Sequence, residues 1–335
     1  MKIEAQAPTR IDLAGGTLDI WPLYLFHDGA LTLNCAISRY ASCTIETSAS
    51  KAITFVSRDT RKRETFAAFA ALARARRYKL PLLAHLVRLF APKQGFTLTT
   101  DSEAPAGAGI GGSSAMAVAI CAALDRFTGK GLSRADWIHI SRDAEAMVIH
   151  VPTGTQDHYP PAFGGASAIH LRAGGEFREE LKIDIAELER RLVVCYTGKP
   201  RQSGINNWEV FQAEINGDQR VWRRLEEISQ IAQRARAALV KEDWQQLAAL
   251  VRAEWQVRRR TLPTMSTPMI DAIITAAQRS GATAGKVCGA GGGGCVTLVI
   301  EPDARARVEE AIVAVGAQLL PMRIDRRGVQ VTVAR

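Results

Sequence analysis

Long apolar runs are the first thing this 335-residue chain lacks: none approaches the ~20 residues needed to span a bilayer, so a helical membrane protein is excluded. Met1-Lys2-Ile3-Glu4-Ala5 enters a strand-like pattern directly, with neither the basic nor the apolar stretch of a secretory leader, and a cytoplasmic location is the expectation. Paired cysteines are missing too. The six cysteines, at 35, 43, 121, 195, 288 and 295, are scattered through mostly apolar surroundings, and no Cys or His pair has metal-site spacing. They read as reduced, buried thiols. A G-x-x-x-x-G-K-[ST] phosphate loop occurs nowhere, since Lys286 in Gly285-Lys286-Val287 lacks both the spacing and the hydroxyl. There is no internal repeat and no low-complexity segment.

Acidic residues are outnumbered, 34 against 43 Lys and Arg, for a formal charge of +9. The basic clusters Arg61-Lys62-Arg63, Arg74-Ala75-Arg76-Arg77, Arg190-Arg191 and Arg258-Arg259-Arg260 have no aromatic-rich stripe among them. They read as solvated helix faces, and no nucleic-acid partner is expected, although a positive field favours anionic ligands.

A chain that is 47% hydrophobic and 23% charged folds as a globular protein, and its length exceeds one ordinary core. Two domains are expected, residues 1–175 and 176–335. In the first half, 30–37 and 41–47 read as strands, 82–91 as a helix ended by Pro92, 95–100 as a strand, and 115–127 as a helix apolar nearly all round. Residues 133–148 read as a helix opened by a Ser133 cap with Asp136 three residues on. Beyond Gly164-Gly165 come strands at 167–171 and 192–196, long amphipathic helices over 205–262, a helix at 269–280, a strand at 296–300, a helix at 304–315 and a last strand at 328–333. That order suits a second α+β domain.

The segment Pro105-Ala106-Gly107-Ala108-Gly109-Ile110-Gly111-Gly112-Ser113-Ser114-Ala115 joins a glycine-rich turn to two hydroxyls and that apolar helix. Glycines bring main-chain N–H groups close to an anion, and the new helix adds unpaired donors and its positive end. The seryl hydroxyls stand where a helix is capped and where phosphate-bound magnesium finds an oxygen ligand. Gly107, Gly109 and Gly112 also fit G-x-G-x-x-G, but the polar spacer Asp101-Ser102-Glu103-Ala104-Pro105 follows the strand, which a dinucleotide-binding turn does not allow. A turn serving only tight packing remains the plain alternative.

Two further segments, with this one, resemble the signature regions of the kinases named for galactokinase, homoserine kinase, mevalonate kinase and phosphomevalonate kinase (GHMP kinases). Ala7-Pro8-Thr9-Arg10-Ile11-Asp12-Leu13-Ala14-Gly15-Gly16-Thr17-Leu18-Asp19 is similar to the first motif, and Lys286-Val287-Cys288-Gly289-Ala290-Gly291-Gly292-Gly293-Gly294-Cys295 to the third, a glycine loop that closes over nucleotide and substrate. The resemblance implies an α+β fold of two domains, the first like domain 2 of ribosomal protein S5 and the second ferredoxin-like. It implies ATP and Mg²⁺ as cofactors and a small sugar or sugar phosphate as partner, in a monomer or homodimer.

Residue by residue, the resemblance implies that Pro105, Gly107, Gly109, Ile110, Gly111, Gly112, Ser113, Ser114 and Ala115 hold the nucleotide. Asp157, in Thr155-Gln156-Asp157-His158, matches the catalytic aspartate, and Arg10 the basic residue that pairs with it. Glu145, twelve residues earlier, matches the magnesium carboxylate; a glycine stands at 112 where the family's first serine falls, so Ser113 is the expected hydroxyl ligand with Ser114 beside it. Asp19, Gly16, Thr17, Gly291 and Gly292 match acceptor-binding positions. Without the resemblance, Asp157 reads as a turn residue, Glu145 as an exposed helical glutamate and Asp19 as a turn cap. The first motif resembles that of L-fucokinases, and the segments 156–165 and 196–203 resemble heptose-7-phosphate kinases, in which setting Lys199 and Arg201 would bind a distal phosphate. The implied activity is phosphorylation of an anomeric hydroxyl, with D-glycero-D-manno-heptose 7-phosphate ahead of L-fucose or another free sugar. A sugar- and ATP-binding sensor without catalysis, and an isoprenoid-pathway kinase, are the alternatives.

Overall fold

The computed structural model describes residues 1–200 and 205–334. In chain order the elements are β1 (Lys2–Ala14), β2 (Leu31–Thr47), β3 (Ile53–Ser57), β4 (Lys62–Phe66), α1 (Phe69–Arg74), α2 (Pro81–Phe90), β5 (Phe96–Ser102), α3 (Gly112–Thr128), α4 (Arg134–Ile149), α5 (Tyr159–Phe163), β6 (Ala166–Arg172) and β7 (Gly175–Glu180). There follow α6 (Ile185–Arg190), β8 (Leu192–Tyr196), α7 (Ile205–Ile215), α8 (Gln219–Val240), α9 (Trp244–Thr261), α10 (Pro268–Arg279), β9 (Ala282–Val287), β10 (Cys295–Ile300), α11 (Arg305–Ala314), β11 (Gln318–Leu319) and β12 (Gln330–Ala334).

Among the described residues the strands form two sheets. The first has the order β12-β1-β2-β5-β3-β4, with β6 also on β2 and β7 on β6; the second runs β11-β8-β10-β9. β2 carries two neighbours on one edge because it is long: residues 41–47 pair with β5 and 31–35 with β6. The two strands read at 30–37 and 41–47 are thus one. Its pairing with β1 slips between Pro8↔Tyr40 and Thr9↔Ile37, and Ser38 and Arg39 in the resulting bulge break the apolar alternation on which the sequence reading depended.

The last strand returns to the first sheet, where β12 pairs antiparallel with β1 from Lys2↔Ala334 to Gln6↔Gln330. Residue 175 opens β7, which the β6 hairpin keeps in that same sheet. The first sheet therefore takes strands from residues 2–180 and 330–334, and the second from 192–319.

α3 lies against β1 and β2. Small and apolar side chains on all its faces let it sit deep, and every residue from Ser114 to Asp125 is buried. Glycines in the left-handed region close both its ends, Gly111 and Gly129. α4 opens on the expected capping box, Ser133 Oγ accepting from Asp136 N while Asp136 Oδ2 accepts from Ser133 N. α8 packs on the first sheet and α9 between it and β9 of the second, whereas α10 and α11 pack on the second around Val193, Ile273, Leu298 and Val308. Among the described residues no helix is long and apolar enough to cross a membrane.

Candidate active site

β1 begins as a half-buried strand and is buried continuously from Ala7 onwards, which encloses Arg10 and Asp12 at 1% and 0% exposure. Two residues apart on a strand, they project to the same side. A charge so placed needs partners. Arg10 finds them in the two segments that the sequence motifs single out: its Nε–H donates to Asp157 Oδ1 at 2.8 Å, Nη2 lies 2.6 Å from the same oxygen, and Nη1 donates to the Gly109 carbonyl at 2.7 Å. Its backbone N–H donates to the Ile110 carbonyl at 2.9 Å. Burial works against the guanidinium charge, but Asp157 and Asp12 outweigh it and hold the group firmly protonated.

The glycine segment forms a turn in which Gly107, Gly109 and Gly111 all take positive φ, between 66° and 77°. One side of it faces a cavity of ≈ 320 Å³, walled by Pro105, Gly107, Gly109, Gly112 and Ser113 and, opposite, by Leu80–Leu83 of the α2 entry and by Met116. Ile110, Gly111 and Ala115 are buried beneath the turn. Ser113 is exposed. Ser114 is buried and donates to Glu145 Oε2 at 2.9 Å. Burial pushes the Glu145 carboxyl up, yet contacts with His158, Ser113 and Ser114 prevail and hold it below its ordinary value, so it is anionic at neutral pH.

A second, smaller cavity of ≈ 70 Å³ lies on the other side of Arg10, with Asp157, Asp19, Gly16, Thr17 and Arg258 in its wall. Asp19 is 4% exposed; its Oδ2 accepts from Gln156 N at 3.0 Å and Oδ1 from Gln156 Nε2 at 3.2 Å. Burial first, and the nearby charge of Asp157 second, raise its carboxyl to about 6. Asp19, Pro152 and Thr153 also border a wider opening of ≈ 510 Å³ that reaches Trp21, Arg142 and Glu176.

The third glycine loop, between β9 and β10, packs on the second motif. Cys295 N donates to the Ala108 carbonyl at 2.7 Å and Gly294 N to the Lys199 carbonyl at 3.0 Å. Gly291 and Gly292 lie against Met265, Gly292 N donating to its carbonyl at 2.8 Å, and neither belongs to the wall of the two cavities. Lys199 is exposed and likewise outside those walls. Arg201 lies outside the described residues.

Several residues of the site escaped the sequence reading. Asp12 is bound by Lys286 Nζ at 2.7 Å and by Gly289 N at 3.0 Å, and these contacts with Arg10 and Arg258 outweigh burial and hold it far below the usual carboxylate range. Lys286 also reaches Glu254 Oε2 at 3.2 Å. His158, given no role from sequence, lies fully buried with Nδ1 3.0 Å from Ser141 Oγ and Nε2 3.3 Å from Glu145 Oε2. Arg258 and Asn207 reach the smaller cavity from α9 and α7. A signal existed for the first of these: charged residues inside apolar strands, as in Ile11-Asp12-Leu13 and Gly285-Lys286-Val287, require partners.

Comparison with known proteins agrees with this geometry. The family pattern described as "GHMP kinases N terminal domain" matches residues 68–165, and "GHMP kinases C terminal" matches 235–318. The chain is 26% identical over 323 residues to a D-glycero-alpha-D-manno-heptose 7-phosphate kinase of Campylobacter jejuni, covering 92% of this chain and 93% of that one. It is 29% identical over 258 residues to a mevalonate kinase of Thermococcus onnurineus, covering 73% and 72%. Among solved structures, a D-glycero-D-manno-heptose 1-phosphate kinase from Bacteriodes thetaiotaomicron superposes with a TM-score of 0.80 at 24% identity, covering 99% of both chains, and a Lactococcus lactis galactokinase complexed with galactose gives 0.80 at 16% identity, covering 99% and 95%. An arginine tying a cavity-lining aspartate to a glycine-rich turn, inside a two-domain α+β frame that both family patterns match, places this chain among the GHMP kinases, as a phosphotransferase acting on an alcohol group.

Proposed function

We propose that this sugar kinase moves the γ-phosphoryl group of ATP to the anomeric C1 hydroxyl of D-glycero-D-manno-heptose 7-phosphate. One observation carries the reading: the Arg10 guanidinium bonds at once to Asp157 in the smaller cavity and to the Gly109 carbonyl in the loop that borders the larger one. Donor and acceptor cavities therefore meet at a single cation. The larger cavity, walled by apolar α2 residues on one side and by the glycine turn on the other, suits a base and its phosphates.

In the smaller cavity the acceptor hydroxyl lies against Asp157, which accepts its proton as the new O–P bond forms and the bond from γ-phosphorus to the ADP oxygen breaks. Arg10 offsets the charge that gathers between them and keeps the Asp157 carboxylate aimed into the cavity. Asp19 accepts hydrogen bonds from acceptor hydroxyls. Among the described residues no cluster of three His, Cys, Asp or Glu could hold a metal alone. The donor set fits magnesium shared with phosphate: an anionic Glu145, the exposed Ser113 hydroxyl, and Ser114 already bonded to Glu145. Bound there, Mg²⁺ would neutralise charge on the transferring phosphate. The acceptor's far end leaves by the opening beyond Asp19 or towards Lys199, whose basic side chain would meet a distal phosphate. The match along nearly the whole length of a heptose 7-phosphate kinase supports this acceptor over L-fucose or another free sugar.

The deciding experiment offers ATP with a panel of free sugars and sugar phosphates, and reads ADP release and the position of the new phosphate. Heptose 7-phosphate phosphorylated at C1, with free heptose a poor acceptor, is the expected result. Transfer to another hydroxyl, or preference for a free sugar, overturns the acceptor assignment; no ADP release with any compound favours a binding protein without catalysis.

A further inference from the structure

We infer that Arg258 is the residue that selects the acceptor, by donating hydrogen bonds to neutral oxygens, hydroxyl or ring, of the sugar's reacting end. The inference rests on the sugar-kinase reading above and deepens it.

Arg258 sits on the buried face of α9 at 2% exposure and forms part of the wall of the smaller cavity. Among the described residues only one of its nitrogens has a hydrogen-bond acceptor: Nη2 donates to the Gly289 carbonyl at 2.8 Å. Nε and Nη1 are buried and have none. Nη1 does have charge partners, Asp12 Oδ2 at 3.6 Å and Glu254 Oε1 at 3.9 Å, but both distances exceed hydrogen-bonding range. A buried donor without an acceptor is costly, and such groups persist where a ligand supplies the acceptor.

Gly16, also in the cavity wall, packs against this edge. Gly16 comes so close that a Cβ there would lie 2.9 Å from Nη1 and 3.3 Å from Asp12 Oδ2. A side chain at 16 would press on the guanidinium and shift it. Beside it Thr17 Oγ1 donates to Asn207 Oδ1 at 3.3 Å, which leaves the Asn207 amide nitrogen as a further donor at the same end of the cavity.

Charge decides what Arg258 reads. Arg10, Arg258 and Lys286 face Asp12, Glu254 and Asp157 within one connected set of ion pairs, so the cations are already matched. Asp19 adds a further carboxyl to the cavity wall. A phosphate dianion placed here would meet no spare positive charge, whereas hydroxyl or ring oxygens take the two free N–H groups without adding charge. The acceptor's phosphate, where it has one, lies outside this cavity.

The test titrates the acceptor found by the panel, and its counterpart with or without the distal phosphate, into wild type, Arg258→Gln, Arg258→Lys and Gly16→Ala. ADP release gives kcat and both KM values, and a melting curve confirms folding. Arg258→Gln raises the acceptor KM about tenfold or more while leaving the ATP KM within about twofold, and the factor is the same for the phosphorylated and unphosphorylated acceptor. Arg258→Lys, which keeps the charge but loses the planar fork, falls between. Gly16→Ala, with the guanidinium intact, repeats the selective rise in acceptor KM. Unchanged acceptor KM in folded variants, or a uniform loss of kcat that only mirrors a smaller folded fraction, overturns the role of Arg258. A rise confined to the phosphorylated acceptor overturns the neutral reading. No ADP release by wild type with any acceptor overturns the sugar-kinase reading instead, and this inference with it.

Discussion

Asp19 carries a conflict between folding and binding in one side chain. Burial and the neighbouring Asp157 lift its carboxyl to about 6, while two donors from Gln156 hold it in place. An acid whose folded value is raised binds its proton more tightly in the folded state. Its contribution to stability is thus greatest below the unfolded value near 4 and is lost as pH rises through about 6. Asn removes that loss. The Gln156 amide can turn to present Oε1, at present without a partner, to the new NH₂. Asp19→Asn is therefore expected to melt ~3–6 °C higher than wild type at pH 8, with the difference vanishing below pH 4. The same change weakens acceptor binding, because the ionised oxygens are gone; in wild type the acceptor KM climbs as pH falls below about 6. Melting curves across pH that run parallel for the two proteins would contradict this account. Asp157→Asn keeps the pairing geometry with Arg10 but not the basicity, and is expected to lower kcat by about 10²–10⁴-fold with nucleotide affinity preserved. Near-normal turnover removes Asp157 from the proton transfer.

The loop between β9 and β10 acts as a clamp on the turn before α3, and its geometry rests on Gly294. With φ at +77°, a Cβ there would lie 2.6 Å from the Ala108 carbonyl oxygen and 3.0 Å from that of Gly107. Gly294→Ala must therefore push the two loops apart and break the Cys295–Ala108 bond. A rise of about tenfold or more in the ATP KM, with acceptor KM less affected, is the expected outcome; equal shifts in both would mean that the loop serves the whole cleft. The glycine turn and the α4 cap were legible in the sequence because each is a local pattern in which spacing and residue type state the geometry, whereas this loop was read through family resemblance. Arg10, Asp19 and Asp157 were legible only through family resemblance, since an aspartate after a glycine is also an ordinary turn residue. What joins β1 to β9, α9 and α7 was not legible. Lys286 and Asp12 are 274 positions apart, and Arg258 stands in a run of three arginines that reads as a solvated face. The bulge in β2 was hidden for a similar reason: it is a feature of the pairing with β1, which the residues of β2 alone do not state.

Across the whole molecule, the two sheets are held together by charges as well as by the shared core of α8 and α9. Asp12 from the first sheet and Lys286 from the second are each fully buried and bonded at 2.7 Å, with Glu254 of α9 completing the group. Such a pair adds little over an apolar contact, but removing one partner leaves the other charged in a dry site. Lys286→Met should thus cost about 3–5 kcal/mol at pH 7, read as a lower midpoint in urea with an unchanged slope. The pH dependence separates this mechanism from lost packing. In wild type Asp12 stays ionised, and its stabilisation is present above about pH 4 and lost only as acid approaches its strongly depressed folded value. In Lys286→Met the carboxyl takes up a proton far more readily, so the gap between variant and wild type narrows as pH falls from 7 towards 4. Adding Asp12→Asn to Lys286→Met should recover part of the loss, because the stranded charge disappears with it. A gap that stays constant with pH, and a double variant no better than the single, would assign the joint to packing alone and leave Asp12 with no part in holding Gly289, and through it the glycine loop, over the cleft.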